Sequence, residues 1–162
     1  IRTRRVAIIV ANGIDGDAVK ALRQRLDAEG AVPRLVATRL GTVASMQGDR
    51  FVVDATAETT PSVLYDALAV PGGKDAIAEL MHVGYAAESI KDQYRHCKPI
   101  LALGAAKTLL EGAGVQATLP SGEEDPGVLI YEHDEAGEAI DQFVTAIAAH
   151  RHFARHSDPP VV

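Results

Sequence analysis

Apolar residues occur in this chain as short unbroken runs, and between the runs they recur every three or four positions. The first run is Val6-Ala7-Ile8-Ile9-Val10-Ala11. A strand with no polar alternation is covered on both faces, the environment of a parallel sheet. Asn12-Gly13-Ile14-Asp15-Gly16 then supplies a tight loop, and Asp17 is placed to cap the helix that follows. Val19, Leu22 and Leu26 give that helix one apolar face, and Gly30 is placed to end it. Residues 32–37 read as a second strand. Val43-Ala44-Ser45-Met46, a Gln47-Gly48-Asp49 turn and Phe51-Val52-Val53 read as an inserted β-hairpin. Ala67-Leu68-Ala69-Val70 is a third buried strand, stopped by Pro71-Gly72-Gly73 and followed by helices over 74–81 and 85–96, with Gly84 between them. A fourth strand spans 100–103, with 108–112 in its following helix, and a fifth spans 128–131. The pattern predicts a long closing helix over 136–154, with Ile140, Phe143, Val144, Ile147 and Ala148 on one side.

Strands alternating with helices, joined by right-handed crossovers, give an α/β, doubly wound parallel sheet. Five strands fit the flavodoxin-like order 2-1-3-4-5, with the β-hairpin as an insertion. At 162 residues the chain holds one such domain, expected over 6–155. Residues 1–5 are expected to be a linker from a missing N-terminal region, because the chain opens on Ile1 directly before a strand. Residues 156–162, with Ser157-Asp158-Pro159-Pro160, are expected to form a flexible tail.

The formal net charge of −6 argues against a nucleic-acid binder, which needs a basic face. No stretch approaches the roughly 20 apolar residues of a bilayer span. The single Cys97 excludes an internal disulfide and fits a reducing, cytoplasmic setting.

Ligands of such a sheet bind beyond the carboxyl ends of its strands. Four loops converge there: 12–16, 71–73, 104–106 and the one before Glu132. Gly13-x-x-Gly16 lacks the three spaced glycines of a dinucleotide fingerprint, and Asp15 and Asp17 would repel a phosphate. The corner Leu103-Gly104-Ala105-Ala106 joins a strand to a helix, the place where a Cys or Ser nucleophile projects in related folds. Gly104 has no side chain with which to attack. Cys97, beside His96, is the remaining candidate nucleophile, but it precedes the fourth strand and so lies up to about 20 Å from that corner. His152 and His156, four apart on the expected closing helix, have a metal-compatible spacing, though no acidic or Cys ligand is spaced alongside. His82 and His133 stand alone in loops. Glu123, Glu124, Asp125, Glu132, Asp134 and Glu135 read as solvated loop charges rather than a catalytic carboxylate pair. No metal or cofactor is expected in this domain.

The Gly104 corner together with Val70-Pro71-Gly72-Gly73 resembles the DJ-1/PfpI group of class I glutamine amidotransferase-like folds. In that group a Cys occupies the corner and an acid from the loop after the first strand supports it. Gly104 stands at the Cys position and Ala18 at the acid position, with Asp15 and Asp17 nearby in sequence. Both functional positions are vacated on that alignment. The stretch 3–155 also resembles the C-terminal domain of large-subunit haem catalases. It does so through Arg5-Val6-Ala7-Ile8-Ile9, Arg39-Leu40-Gly41-Thr42-Val43, residues 61–71, His96-Cys97-Lys98-Pro99-Ile100, Gly122-Glu123-Glu124-Asp125-Pro126-Gly127-Val128 and Ala148-Ala149-His150-Arg151-His152-Phe153. The resemblance implies a non-catalytic, stabilising domain of an enzyme that decomposes hydrogen peroxide at a haem. The haem would lie in a missing catalase domain, and Tyr65, Tyr85, Tyr94 and Tyr131 have no axial-ligand context. The implied partners are the chain's own N-terminal haem domain and neighbouring subunits of a homotetramer, with no nucleic acid and no membrane. Two other readings stay open: a free-standing DJ-1/PfpI-like hydrolase or glyoxalase using Cys97 or a water, and a chaperone-like protein.

Overall fold

Five parallel strands pair in the order 2-1-3-4-5, and a sixth, two residues long, extends one edge. The computed structural model describes residues 1–162. In chain order the strands and α-helices are β1 (Arg5–Ile9), α1 (Gly16–Ala28), β2 (Val32–Ala37), β3 (Thr42–Ala44), β4 (Arg50–Val52), β5 (Ala55–Thr56), β6 (Ala67–Val70), α2 (Lys74–Met81), α3 (Gly84–Arg95), β7 (Ile100–Leu103), α4 (Ala106–Gly112), β8 (Val128–Tyr131), α5 (Ala136–Ala148) and α6 (Ala154–Ser157). The main sheet runs β5-β2-β1-β6-β7-β8. Its register places Ile8 opposite Leu35 and Ala69, Leu101 opposite Ala69, and Leu129 opposite Leu101.

Every residue of β6 and β7 is buried, as unbroken apolar strands require when helices cover both faces. Helices α1 and α5 pack together, while α2, α3 and α4 form a separate cluster. Phe143 of α5 is fully buried. Each such large apolar side chain contributes about 1.5–3 kcal/mol on leaving water.

The edge strand β5 pairs parallel to β2 through Val36–Ala55 and Ala37–Thr56. Two residues are too few for any periodicity, so the sequence pattern does not show it. A very short edge strand also offers little template for pairing with another chain. The hairpin forms between β3 and β4, with Val43 opposite Phe51.

Three local expectations are corrected. The cap of α1 is Asp15 rather than Asp17, since Asp15 accepts from the backbone N–H groups of Asp17 and Ala18. The closing helix stops at Ala148, and His150 takes a left-handed φ of 70° that breaks it before the separate α6. Asp125, read as a solvated loop acid, is buried and paired with Arg155. At the C-terminal end, Ser121 N–H donates to Asp158 and Arg95 Nε donates to the carbonyl of Val162.

Candidate functional site

The loops after β1, β6, β7 and β8 meet at one end of the sheet around a cleft of about 440 Å3. Gly13, Asp15, Met46, Gly72, Gly73, Lys74, Asp75, Gly104, Ala105 and His133 line it. Backbone bonds hold these loops together: Asp15 N–H donates to Gly72 O, Gly104 N–H to Tyr131 O, and Gly13 N–H to Ala44 O. Gly73, at φ +107°, lets the 71–75 loop cross the 12–16 loop closely. A Cβ there would lie 2.3 Å from Gly13 O.

Asp15 organises the cleft from below. Its carboxylate is almost completely buried and is satisfied from four directions. Oδ1 accepts from Asp17 N–H, Ala18 N–H and Gln47 Nε2, at 3.1, 3.2 and 3.0 Å. Oδ2 lies 2.6 Å from Nδ1 of His133, whose side chain is 69 % exposed against 2 % for Asp15. A buried carboxylate is tolerated only when so partnered. Gln47 reaches the site because the hairpin folds over the 12–16 loop, where Met46 N–H donates to Ile14 O. The Gln47 side chain also accepts from Gly16 N–H at 2.8 Å.

The carboxylate at this end of the sheet therefore comes from Asp15, three residues before Ala18, whose own N–H is one of the donors to it. His133, which the sequence presents as an isolated loop histidine, lies in a short 3-10 turn, His133–Glu135, after β8. The sequence signal that could have found the pair was weak: one acid after the first strand and one histidine after the last, both at carboxyl ends of strands.

Gly104 sits at the β7–α4 corner with φ +54°, and a Cβ built there would meet only His133, with Cβ at 3.8 Å and N at 3.9 Å. The space a larger residue would fill is open and lies beside the histidine. The amide N–H groups of Gly73 and Ala105 donate to no group of the protein. The cleft thus combines a histidine seated on a buried carboxylate, unclaimed amide donors and free volume, but no side-chain nucleophile at the corner.

The other sequence candidates lie elsewhere. Cys97, just before β7, is buried with a left-handed φ of 56°. Burial pushes its thiol up from the ordinary value, which removes thiolate and blunts reactivity. His152 is buried and its Nε2 lies 3.2 Å from Ala146 O, whereas His156 is exposed on α6. The broken helix separates them from the single face their spacing suggested. No three His, Cys, Asp or Glu groups gather as a metal site would require. Arg155, which no motif singled out, is buried. It donates through Nε and Nη2 to Asp125 and through Nη1 to the carbonyls of Tyr94 and Lys98.

No helix is long and apolar enough to cross a membrane. This arrangement of sheet, helices and cleft is the DJ-1/PfpI-type flavodoxin-like fold. The ThiJ/PfpI domain protein from Brachyspira murdochii superposes with a TM-score of 0.79 at 12 % identity, covering 92 % of this chain and 99 % of that one. Drosophila melanogaster DJ-1beta gives 0.77 at 16 % identity, covering 93 % and 91 %. Likeness at these identities defines the fold alone. The family follows from sequence: residues 2–157 match the C-terminal domain found in long catalases, and the chain belongs to that family. Catalase HPII of Pseudomonas putida is 32 % identical over 157 residues, which are 97 % of this chain and 20 % of the relative. Catalase HPII of Mycobacterium avium is 33 % identical over 165 residues, 98 % of this chain and 23 % of the relative. The chain spans about a fifth of the length of these curated relatives.

Proposed function

We propose that this chain serves a long catalase as a non-catalytic C-terminal domain, stabilising the parent enzyme by packing against its haem domain and neighbouring subunits. The observation that carries the reading is Gly104: the corner built to present a nucleophile presents none, in a chain whose relatives are catalases. The domain's own residues do not fit a haem. Tyr94 lies beneath the Arg155 guanidinium, Tyr65 packs against Ala7 and Val36, and no tyrosine lines the cleft. Peroxide decomposition in the parent is therefore assigned to the region outside this chain. The test compares the long catalase with a version truncated before residue 2. The isolated domain should decompose no peroxide, and truncation should lower the melting temperature of the holoenzyme. Peroxide turnover by the isolated domain, or a truncated enzyme that assembles and melts like the whole, overturns the reading.

One observation favours a second reading, a hydrolase or glyoxalase acting through water. His133 is oriented by Asp15 as a general base is oriented by a carboxylate. Turnover of simple esters or dicarbonyl compounds, abolished by His133→Ala, would establish it. The absence of turnover sustains the first reading. Cys97, buried and away from the cleft, has no part in it.

A further inference from the structure

Gln93 of α3 is fully buried, and one arm of its side-chain amide has no partner. The other arm is fully committed. Nε2 donates to Ser62 O at 2.7 Å, to Ser62 Oγ at 3.1 Å and to Tyr65 O at 3.5 Å. These acceptors belong to the short 3-10 turn Ser62–Leu64 and the residue after it, which pack on α3. Turning the amide over would set Oε1 against two carbonyl oxygens, so the bonds fix which arm is which. Oε1 is then a buried acceptor that no group of the protein satisfies. Buried polar atoms are nearly always paired, with protein or with ordered water.

A second, independent observation is the void that Gln93 lines. It lies between α3, the 60–65 segment and the sheet, with Ala7, Val36 and Leu68 as its apolar wall. About 10 Å3 of it can hold the centre of a water-sized sphere, which is room for one water and nothing larger. Ser62 and Ser89 bring hydroxyls to it. The Ser62 hydroxyl, which accepts from Gln93, keeps its own proton to donate. Charge excludes the ions. The Lys98 ammonium stands on the same turn, 2.5 Å from Tyr65 O, and opposes a second cation. An anion would meet the Oε1 acceptor, and an apolar atom would leave Oε1 unsatisfied. The occupant must be small, neutral and able both to donate and to accept.

We propose that this void is a binding site for one structural water. The water donates to Gln93 Oε1 and accepts from the hydroxyls of Ser62 and Ser89, the roughly three hydrogen bonds of a buried water. It joins α3 to a turn whose carbonyls already take Gln93 and Lys98. The site is separate from the cleft and depends on neither the stabilising role nor a catalytic one.

The test is a high-resolution crystal structure of the 162-residue chain, joined to water magnetic relaxation dispersion, which gives the number and residence time of long-lived waters. An ordered water should lie within about 3.2 Å of Gln93 Oε1. Gln93→Met keeps an unbranched side chain but removes the acceptor, and should hold one long-lived water fewer than the parent chain. Ser89→Ala, on a partly exposed helix position, leaves Oε1 in place. It should retain the water and shorten its residence about fivefold, the loss of one neutral hydrogen bond. If Gln93→Met does not fold, the crystal structure and Ser89→Ala decide. No ordered water at Oε1, an undiminished count in Gln93→Met, or an unchanged residence time in Ser89→Ala overturns the proposal.

Discussion

The substitution Arg155→Leu tests whether the C-terminal segment is fastened by one buried ion pair. Arg155 and Asp125 have side chains only 3 % and 1 % exposed, and Nε lies 2.5 Å from Oδ2. Nη2 donates to Oδ1 at 3.2 Å, while Nη1 donates to Tyr94 O at 3.1 Å and Lys98 O at 2.9 Å. The guanidinium carbon also lies 4.4 Å from the centre of the Tyr94 ring. One side chain thus ties α6 to the end of α3, the approach to β7 and the 120s loop. Leucine would leave the Asp125 carboxylate buried with only Gly127 N–H donating to it. Breaking one half of a buried pair costs about 3–5 kcal/mol, because the stranded charge pays its full desolvation. At about 2–4 °C per kcal/mol for a domain of this size, a 4 kcal/mol loss lowers Tm by about 8–16 °C. Urea unfolding of residues 1–162, followed by far-UV circular dichroism, measures the cost directly. The double variant Asp125→Asn/Arg155→Leu removes both charges and should recover more than half of the loss, since the penalty belongs to the unpaired charge rather than to the absent bond. A single-variant cost below about 1 kcal/mol, or a double variant as unstable as the sum of its singles, would refute this account.

Two further outcomes follow from the cleft and from the break after α5. Gly73→Ala should destabilise by about 3 kcal/mol or more, because its Cβ would overlap Gly13 O at 2.3 Å, whereas Gly104→Ala should cost only about 1 kcal/mol for its left-handed φ. Thermal melts of the two variants check this, and the reverse order would show that the loop crossing has been misread. His152 is held neutral below its ordinary 6.5, mainly by burial, with Arg155 adding to the effect and Ala146 O and Asp125 opposing it. The unfolded chain takes up this proton as pH falls through about 6.5 while the folded chain does not, so stability is full above that pH and declines below it. His152→Gln should flatten the fall in urea midpoint between about pH 6.5 and 5, and an unchanged acid slope would exclude His152 as its source.

Strand order, the hairpin and the position of the cleft were legible in the residues themselves. Unbroken runs such as 67–70 and 100–103 can be covered on both faces only within a parallel sheet, and Pro71-Gly72-Gly73 and Gly104 punctuate the ends where ligands bind. These signals are local, carried by neighbours along the chain. What the sequence left hidden is long-range or depends on burial. Asp15 and His133 are 118 positions apart and become a pair only because β1 and β8 end on the same side of the sheet. Asp125 sits in an acidic run that reads as solvated, and only the return of α6 seals it against Arg155. Periodicity carried the closing helix past Ala148, because it records an apolar face and not the left-handed turn at His150. Sequence alone determined the scaffold and the missing side chain at position 104. The tertiary structure decided which polar groups meet, because partnership between distant charges is set by where the sheet brings the loops together and by which of them are removed from water.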